Sequence, residues 1–145
     1  MEPAETACVC STLRMATRSV ARLYDQALAP AGLRAASYSI LSRLDAEGPM
    51  TITRLAARLA LERTTCSREV EALAKAGLLH VEVGQDRRRR LVQASPEGAR
   101  RLAESRPHWI AVQRRIEGAF GSEDTAHLLD RLRTLHRQSE RLAAG

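Results

Sequence analysis

Aromatic side chains are scarce in this sequence: one Trp, two Tyr and one Phe make up 3% of its 145 residues. Ala, Leu and Arg dominate instead, which is typical of a helical protein with an aliphatic core. A chain of this length forms one ordinary domain. Because its own interior is expected to be modest, sharing apolar helix faces with a second copy would bury more surface.

Long hydrophobic runs are also missing. The sequence contains no stretch of eighteen or more apolar residues, so we expect neither a membrane span nor a membrane partner. The first five residues, Met-Glu-Pro-Ala-Glu, are acidic and lack the apolar core of a signal peptide. The expected location is therefore the cytoplasm.

Residues that bind metals are few and poorly spaced. The cysteines are odd in number and predict no disulfide framework: Cys8, Cys10 and Cys66. On a predicted helix, Cys8 and Cys10 would point about 200° apart and would neither bridge nor share a metal. No ligand-spaced pair occurs among the histidines, which are His80, His108, His127 and His136. We expect no metal and no cofactor.

Catalytic patterns are absent as well. The sequence has no Ser-His-Asp order, no paired carboxylate site and no glycine-rich phosphate loop, so an enzyme is not expected. A formal net charge of +6 is present instead. Such a charge favours a polyanionic partner, above all nucleic acid.

The stretch Met50–Ala94 is the most informative part of the chain. Apolar residues recur at helical spacing in two short segments that are joined by about one turn of chain. This spacing predicts a helix-turn-helix whose second helix ends at Gly77. Two strands then follow, containing Val81 and Val92, and an arginine-rich turn joins them. The pattern is that of a winged helix-turn-helix, and it predicts binding to double-stranded DNA.

Four further helices are predicted around this stretch. The first, residues 6–29, and the last carry apolar seams at heptad-like spacing. The fold class is therefore mainly α with a small β-hairpin wing, six helices in all, assembled as an intertwined homodimer. Residues 35–94 form the predicted DNA-binding part, and residues 1–34 and 95–145 form the helical dimerisation part. A twofold dimer would meet two half-sites roughly 34–36 Å apart.

The DNA contacts are expected from the start of the fourth helix, which enters the major groove. Its hydroxyls reach phosphates or base edges, and its arginines reach guanine or phosphate; these residues are Arg63, Thr64, Thr65, Ser67 and Arg68. The alternative is that the hydroxyls only cap the helix and that Arg68 is a solvated surface residue.

The turn of the wing holds the densest charge, four consecutive arginines from Arg87 to Arg90. Arginine at the tip of a hairpin beside a recognition helix favours insertion into a narrow minor groove. The alternative is a solvated face, with some of these arginines paired to acids such as Glu82.

Several motifs together resemble the MarR family of bacterial transcriptional regulators over nearly the whole chain. They are Asp86-x-Arg88 in the wing, Ser95-Pro96-Glu97-Gly98 after it, and Leu61–Arg68, where Cys66 replaces a usual Leu. The resemblance implies a dimeric regulator, most often a repressor, which binds a palindromic operator and is released by a small effector. It also implies that Arg88 enters the minor groove and that Asp86 orients the wing arginines. By their charge, Arg87, Arg89 and Arg90 are expected either to serve phosphates or to pair with acids such as Glu82.

The resemblance further implies a cleft for a small aromatic or phenolic anion. By family position its lining is Arg14, Tyr38, His108 and Trp109. The alternative for Tyr38 and Trp109 is simple core packing.

Two other functions stay open from the sequence. One branch of the family senses organic hydroperoxides through a cysteine in the first helix, at the place of Cys10, with Tyr24 at one of the tyrosine places. The other two tyrosine places hold Arg14 and Ala35, and the alternative is an inert thiol. A nucleoid-style architectural DNA binder would also explain the positive charge.

Overall fold

The computed structural model describes residues 7–83 and 89–145. Six helices are found in these ranges: α1 (Val9–Leu28), α2 (Ala35–Glu47), α3 (Ile52–Leu59), α4 (Arg63–Lys75), α5 (Pro96–Phe120) and α6 (Ser122–Ala144). The strands are β1 (Met50–Thr51), β2 (Leu79–Val83) and β3 (Arg90–Ala94). The predicted fold class, mainly α with a small β-hairpin wing, is confirmed.

The chain divides into two compact units, Met1–Trp109 and Ile110–Gly145, with the boundary inside α5. This division differs from the functional one expected from the sequence, in which residues 35–94 bind DNA and the flanking helices dimerise. The functional division stays a prediction.

Within the first unit, the three strands form an antiparallel sheet in the order β1-β3-β2. In the hairpin, Val81 lies opposite Val92, which is also the partner of Met50 in β1. The sequence predicted the hairpin but not β1, because two residues are too few to show an alternating pattern. Thr51, the second residue of β1, also caps α3 as expected, since its Oγ1 accepts a hydrogen bond from the Arg54 N–H at 3.2 Å.

The turn between α3 and α4 is only three residues long. Ala60 adopts a left-handed conformation with φ of 52°, which reverses the chain at the end of α3. The Leu61 N–H then donates to the Ala56 carbonyl at 2.8 Å, a pairing that closes the helix end. Cys66 follows on the inner face of α4, where its Sγ lies 3.9 Å from the Ile52 carbonyl oxygen.

The core of this unit is aliphatic, as the shortage of aromatics predicts. It gathers the inner faces of α2, α3 and α4 under the sheet, with one residue each from α1 and α5. Among its most buried members are Leu28, Ile40, Leu41, Leu55, Cys66, Val70, Val92 and Leu102.

The start of α5 is tied to the end of α4. Ser95 Oγ accepts from the Gly98 N–H at 3.0 Å, as the predicted helix cap should, and donates to the Gly77 carbonyl at 2.6 Å. Gly77 has a φ of 81°, consistent with its predicted role in ending α4. Ser95 therefore holds the beginning of one helix against the end of another.

The first helix is shorter than predicted. It begins at Val9 and ends at Leu28, because Pro30 lies in a 3-10 turn, Ala29–Ala31, that follows it. Asp25 in α1 caps α2 across the turn, since its Oδ1 accepts from the Ala35 N–H at 2.8 Å. Part of the predicted apolar seam of α1 lies exposed, namely Val9, Val20 and Leu23.

The second unit consists of the end of α5 and all of α6. Gly121 separates the two helices with a φ of 102°. Thr125 is buried, and its hydroxyl donates to the Gly121 carbonyl at 2.7 Å. The apolar residues of α6 are largely exposed: Leu128, Leu129, Leu135 and Leu142.

Candidate nucleic-acid interface

The fourth helix has one face that is fixed in the core and one that is open to solvent. Cys66, Val70 and Leu73 are buried, which fixes the rotation of the helix about its axis. Of the predicted DNA contacts, Arg63, Thr64 and Arg68 are exposed, and Thr65 and Ser67 are half-buried. The packing of α4 therefore presents Thr64 and Arg68 outward.

The hydroxyls of α4 do not cap it. The cap position is Glu62, whose side chain makes no capping hydrogen bond. Over the described ranges, no hydrogen bond occupies the side chains of Thr64, Thr65 or Ser67. These hydroxyls are thus free to bond to an external partner, which argues against the capping alternative.

The exposed face of α4 extends, at helical spacing, past the residues that were predicted to contact DNA. Thr64, Arg68, Glu71 and Lys75 are all exposed, and they lie within about 60° of arc at 3.6 residues per turn. Glu71 was absent from the sequence prediction, although the spacing of four, three and four residues along this stripe was visible in the sequence.

The wing is described only at its base. Asp86, Arg87 and Arg88 lie outside the described residues, so their predicted roles stay predictions. Arg89 is described and exposed, and β3 begins one residue later. In the part of the wing that is described, neither Arg89 nor Arg90 forms an ion pair with Glu82, whose partner in the sheet is Leu91.

Two of the four residues assigned to the effector cleft lie together. The rings of Tyr38 and Trp109 stack with centroids 6.0 Å apart and an interplanar angle of 9°. Both pack against the core, as the packing alternative requires. Desolvation raises the pKa of the Tyr38 hydroxyl, and the nearby Arg106 guanidinium partly opposes that rise. Arg14 is exposed on α1 and His108 is half-buried on α5.

An ion pair beside these rings was not foreseen. Arg106 Nη2 on α5 lies 2.7 Å from Asp45 Oδ2 on α2. The two residues are 61 positions apart, so no local pattern could have linked them. One turn further on, the Trp109 ring stacks on Tyr38 of the same helix, so the ion pair and the stacked rings both join α5 to α2.

The cysteines differ from one another in environment. Cys8 precedes α1 with an extended backbone, φ −68° and ψ 115°, so it does not share the helix with Cys10. The expectation that the two thiols point 200° apart on one helix is therefore wrong, because the helix begins only at Val9. Hydrogen bonding, first from the Ser11 backbone, lowers the pKa of Cys8.

The thiol-sensing alternative gains nothing from this geometry. Cys10 is exposed on α1, and Tyr24 lies fourteen residues further along the same helix and packs against the core. That interval is ~21 Å at 1.5 Å per residue, so the two side chains of one chain do not meet. Arg14 and Ala35 occupy the other two tyrosine places.

The described residues lack two further kinds of feature. They hold no cluster of three or more His, Cys, Asp or Glu side chains suited to a metal ion. Among their helices, none is long and apolar enough to cross a membrane.

Comparison with known proteins agrees with this architecture. A family model described as a helix-turn-helix domain matches residues 34–82. The transcriptional regulator MosR of M. tuberculosis, solved in complex with DNA, is 31% identical and superposes with a TM-score of 0.85, over 92% of this chain and 97% of that one. The uncharacterised HTH-type transcriptional regulator YwoH of Bacillus subtilis is 26% identical over 112 residues, which are 77% of this chain and 82% of YwoH.

A third similarity concerns the fold alone. BpsR of Bordetella bronchiseptica is 21% identical and superposes with a TM-score of 0.82, covering 94% of this chain and 99% of that chain. The sequence, the fold and these relatives together define a transcriptional regulator with a DNA-binding winged helix-turn-helix. The chain belongs to the MarR family.

Proposed function

We propose that this regulator is a repressor that binds a palindromic operator as a homodimer and leaves it when a small aromatic or phenolic effector binds. The observation that carries the proposal is the open face of α4. Its hydroxyl and guanidinium groups point outward and have no partner among the described residues, while its inner face is locked in the core. That MosR has been solved with DNA supports the same use of this fold.

The proposed contacts follow from position on α4. Thr64 and Arg68 reach base edges in the major groove, Thr65 and Ser67 reach the groove wall, and Arg63 contacts phosphate. In the wing, Arg88 enters the minor groove with Asp86 orienting it, and Arg87 and Arg89 contact phosphates. The roles of Arg88 and Asp86 rest on the family motif, and those of Arg87 and Arg89 on their positive charge.

Exposed apolar surface supports the dimer. Each unit, taken by itself, leaves a row of large apolar side chains in solvent, with Val9 58% exposed on α1 and Leu142 82% exposed on α6. Contiguous apolar rows of this kind mark contact surfaces. A second copy would cover them and would place two α4 helices on successive turns of DNA.

The effector is proposed to act where α2 and α5 meet. Tyr38 and Trp109 stack there, with His108 beside Trp109 on α5, and Arg14 is proposed to supply charge from α1. BpsR has a similar fold, and the regulation of its DNA binding by 6-hydroxynicotinic acid supports an aromatic acid as the kind of effector proposed here. We place the protein in the cytoplasm, where the DNA of a bacterial cell lies.

The deciding experiment combines sequence selection with footprinting. Purified protein is used to enrich binders from a random duplex library, and the enriched site is then footprinted. A protected palindrome of two half-sites, with a solution mass of twice the 16.0 kDa chain, is the expected result. Uniform coverage of every duplex would instead identify an architectural DNA binder, and the absence of any duplex binding would refute both functions.

The effector is tested separately. Trp109 is the only tryptophan in the chain, so its fluorescence reports on this site alone. Titration with 6-hydroxynicotinate or salicylate should change the emission and weaken DNA binding in parallel. Unchanged emission and unchanged DNA affinity up to millimolar probe would remove this class of effector from the proposal.

A further inference from the structure

We infer that Glu71 is a specificity-determining residue of α4, whose carboxylate accepts a hydrogen bond from the exocyclic amino group of a cytosine in the major groove. The inference rests on the proposed function, since it requires α4 to lie in the groove. It assigns a DNA contact to an acidic residue, which the net positive charge of the chain would not have suggested.

The position of Glu71 comes from the buried face of its helix. Cys66, Val70 and Leu73 fix that face in the core. Glu71 then falls on the opposite side, on the same exposed stripe as Thr64 and Arg68, three residues after Arg68. At 3.6 residues per turn the directions of Arg68 and Glu71 differ by about 60°, so both side chains face one external surface.

The negative charge of Glu71 is not neutralised by a neighbouring residue of α4. Its spacing to Arg68 and to Lys75 suits an intrahelical ion pair. In the described parts of the chain, however, Glu71 makes no ion pair with either residue. The open face therefore alternates hydroxyl, cation, anion and cation, rather than being uniformly basic.

An anion on such a face opposes binding to the phosphate backbone. A surface that recognised only phosphates would be expected to carry Lys, Arg or a neutral residue at this position. A carboxylate favours DNA only where the groove offers it a hydrogen-bond donor. The Glu71 carboxylate can therefore contact a base edge but not a phosphate, so the role that suits it is sequence recognition.

Cytosine is the base that fits this role. Its major-groove edge presents an amino donor, whereas guanine and thymine present acceptors that a carboxylate cannot use. Adenine also has an amino donor, but its neighbouring N7 is an acceptor that repels a carboxylate. Glutamine, which both donates and accepts, matches adenine instead. Glu71→Gln should therefore move the preferred base, and Glu71→Ala should abolish the preference at that position.

The test is selection from a random duplex library with the wild type, Glu71→Ala and Glu71→Gln, followed by affinity measurements on single-base variants of the enriched site. Glu140→Gln on α6 is the control, because it removes an equal charge from an exposed helix in the second unit. We expect wild type to select cytosine at one position of each half-site. At that position Glu71→Ala should lose roughly 5- to 150-fold discrimination, the usual effect of one mismatched base pair.

The remaining outcomes separate this inference from the proposed function. Glu71→Ala should retain the rest of the motif and bind random duplexes more tightly, since a negative charge has been removed, and Glu71→Gln should shift towards adenine. If Glu71→Ala selects the wild-type motif unchanged, Glu71 is only a solvated counter-charge and the inference is wrong, while the regulator stands. If wild type itself selects no motif, both the proposed function and the inference fail.

Discussion

The α-carbon of Gly98 lies so close to the carbonyl oxygen of Leu78 that a Cβ atom at position 98 would overlap that oxygen. The Ser95 N–H donates to the same oxygen at 3.0 Å. The backbone just after α4 is thereby held against the first turn of α5. Since α4 carries the candidate DNA-reading face, the placement of that face depends on a residue with no side chain.

Gly98→Ala should lower the free energy of unfolding by about 1–3 kcal/mol, the usual effect of forcing an extra carbon into a packed site. Urea denaturation measures it. Gly118→Ala, in the same helix but with open space around the position, is the matched control. It should leave stability unchanged or raise it by up to ~1 kcal/mol, because alanine favours a helix over glycine. Equal effects at both positions would contradict the close contact.

Replacing Ala60 with glycine should raise the free energy of unfolding, whereas replacing Gly98 with alanine should lower it. Its left-handed conformation is unfavourable for a residue with a Cβ atom, by roughly 1–2 kcal/mol, and glycine removes most of that cost. Ala60→Gly is therefore expected to raise the free energy of unfolding by up to ~1 kcal/mol after the greater backbone entropy of glycine is counted. Ala57→Gly, inside α3, should lower it by about 1 kcal/mol. A destabilised Ala60→Gly protein would show that the turn does not adopt this conformation in solution.

The ion pairs of Glu47 should make the stability of the folded protein depend on pH. Hydrogen bonding from Arg43, reinforced by Arg58, lowers the pKa of Glu47 in the folded protein. A lowered carboxyl pKa stabilises the fold above the unfolded pKa of about 4.3, and this contribution is lost as the pH falls through the folded pKa. Wild type should thus exceed Glu47→Gln in stability at pH 7, with the difference shrinking below about pH 4.

Denaturation of both proteins across this pH range measures the difference, and added salt should reduce it because the pair is exposed. Glu140→Gln, which removes a carboxylate of α6 that forms no ion pair among the described residues, supplies the baseline. A gap between wild type and Glu47→Gln that stays constant down to pH 3 would contradict the assigned ion pairs.

The thiols should differ in reactivity. Hydrogen bonding lowers the pKa of exposed Cys8, whereas burial, followed by the charge of Glu69, raises the pKa of Cys66. Because the thiolate is the reacting form, iodoacetamide should alkylate Cys8 at a lower pH than an ordinary thiol and should spare Cys66 in the folded protein. Mass spectrometry of a Cys10→Ser variant isolates Cys8, and a Cys8→Ser variant supplies exposed Cys10 for comparison. Rapid alkylation of Cys66 without denaturant would contradict its burial.

Local signals account for what the sequence predicted correctly. The caps at Thr51 and Ser95 and the helix end at Gly77 each depend on a few neighbouring residues, so they were visible in the sequence. Helical periodicity likewise located α3 and α4 and predicted the helices at both ends of the described chain. The arrangement of these parts as a helix-turn-helix followed from the short connection between them.

Long-range contacts account for what was missed. The two residues of β1 form a strand only because β3 lies beside them. The ion pair of Arg106 with Asp45, and the bond from Ser95 to Gly77, join positions that no periodicity relates. The environment of Cys8 was misjudged because a boundary shift of a few residues placed it before α1 rather than in it.

Arginine variants provide the last test, because they separate base reading from phosphate binding. Arg68 lies on the outward stripe of α4, whereas Arg63 lies at its first residue and to one side of that stripe. Arg68→Ala should cost about 1–3 kcal/mol on the selected site and relax the sequence preference at one base pair. Arg63→Ala should weaken binding to all duplexes alike and reduce the slope of log affinity against log salt by about 1.

Arg88→Ala, in the wing beyond the described residues, is expected to cost ~1–3 kcal/mol of DNA affinity and to flatten the salt dependence as well.

Fluorescence anisotropy with the selected site and a scrambled duplex, at several salt concentrations, distinguishes these effects. Arg133→Ala on α6 removes the same charge from the second unit and serves as the control. If Arg68→Ala weakened binding to the scrambled duplex as much as binding to the selected site, Arg68 would contact the DNA backbone rather than a base. A phosphate contact carries no sequence information. If Arg133→Ala weakened binding as much as Arg68→Ala, total charge rather than the face of α4 would govern DNA binding, and the proposed orientation of α4 in the groove would be wrong.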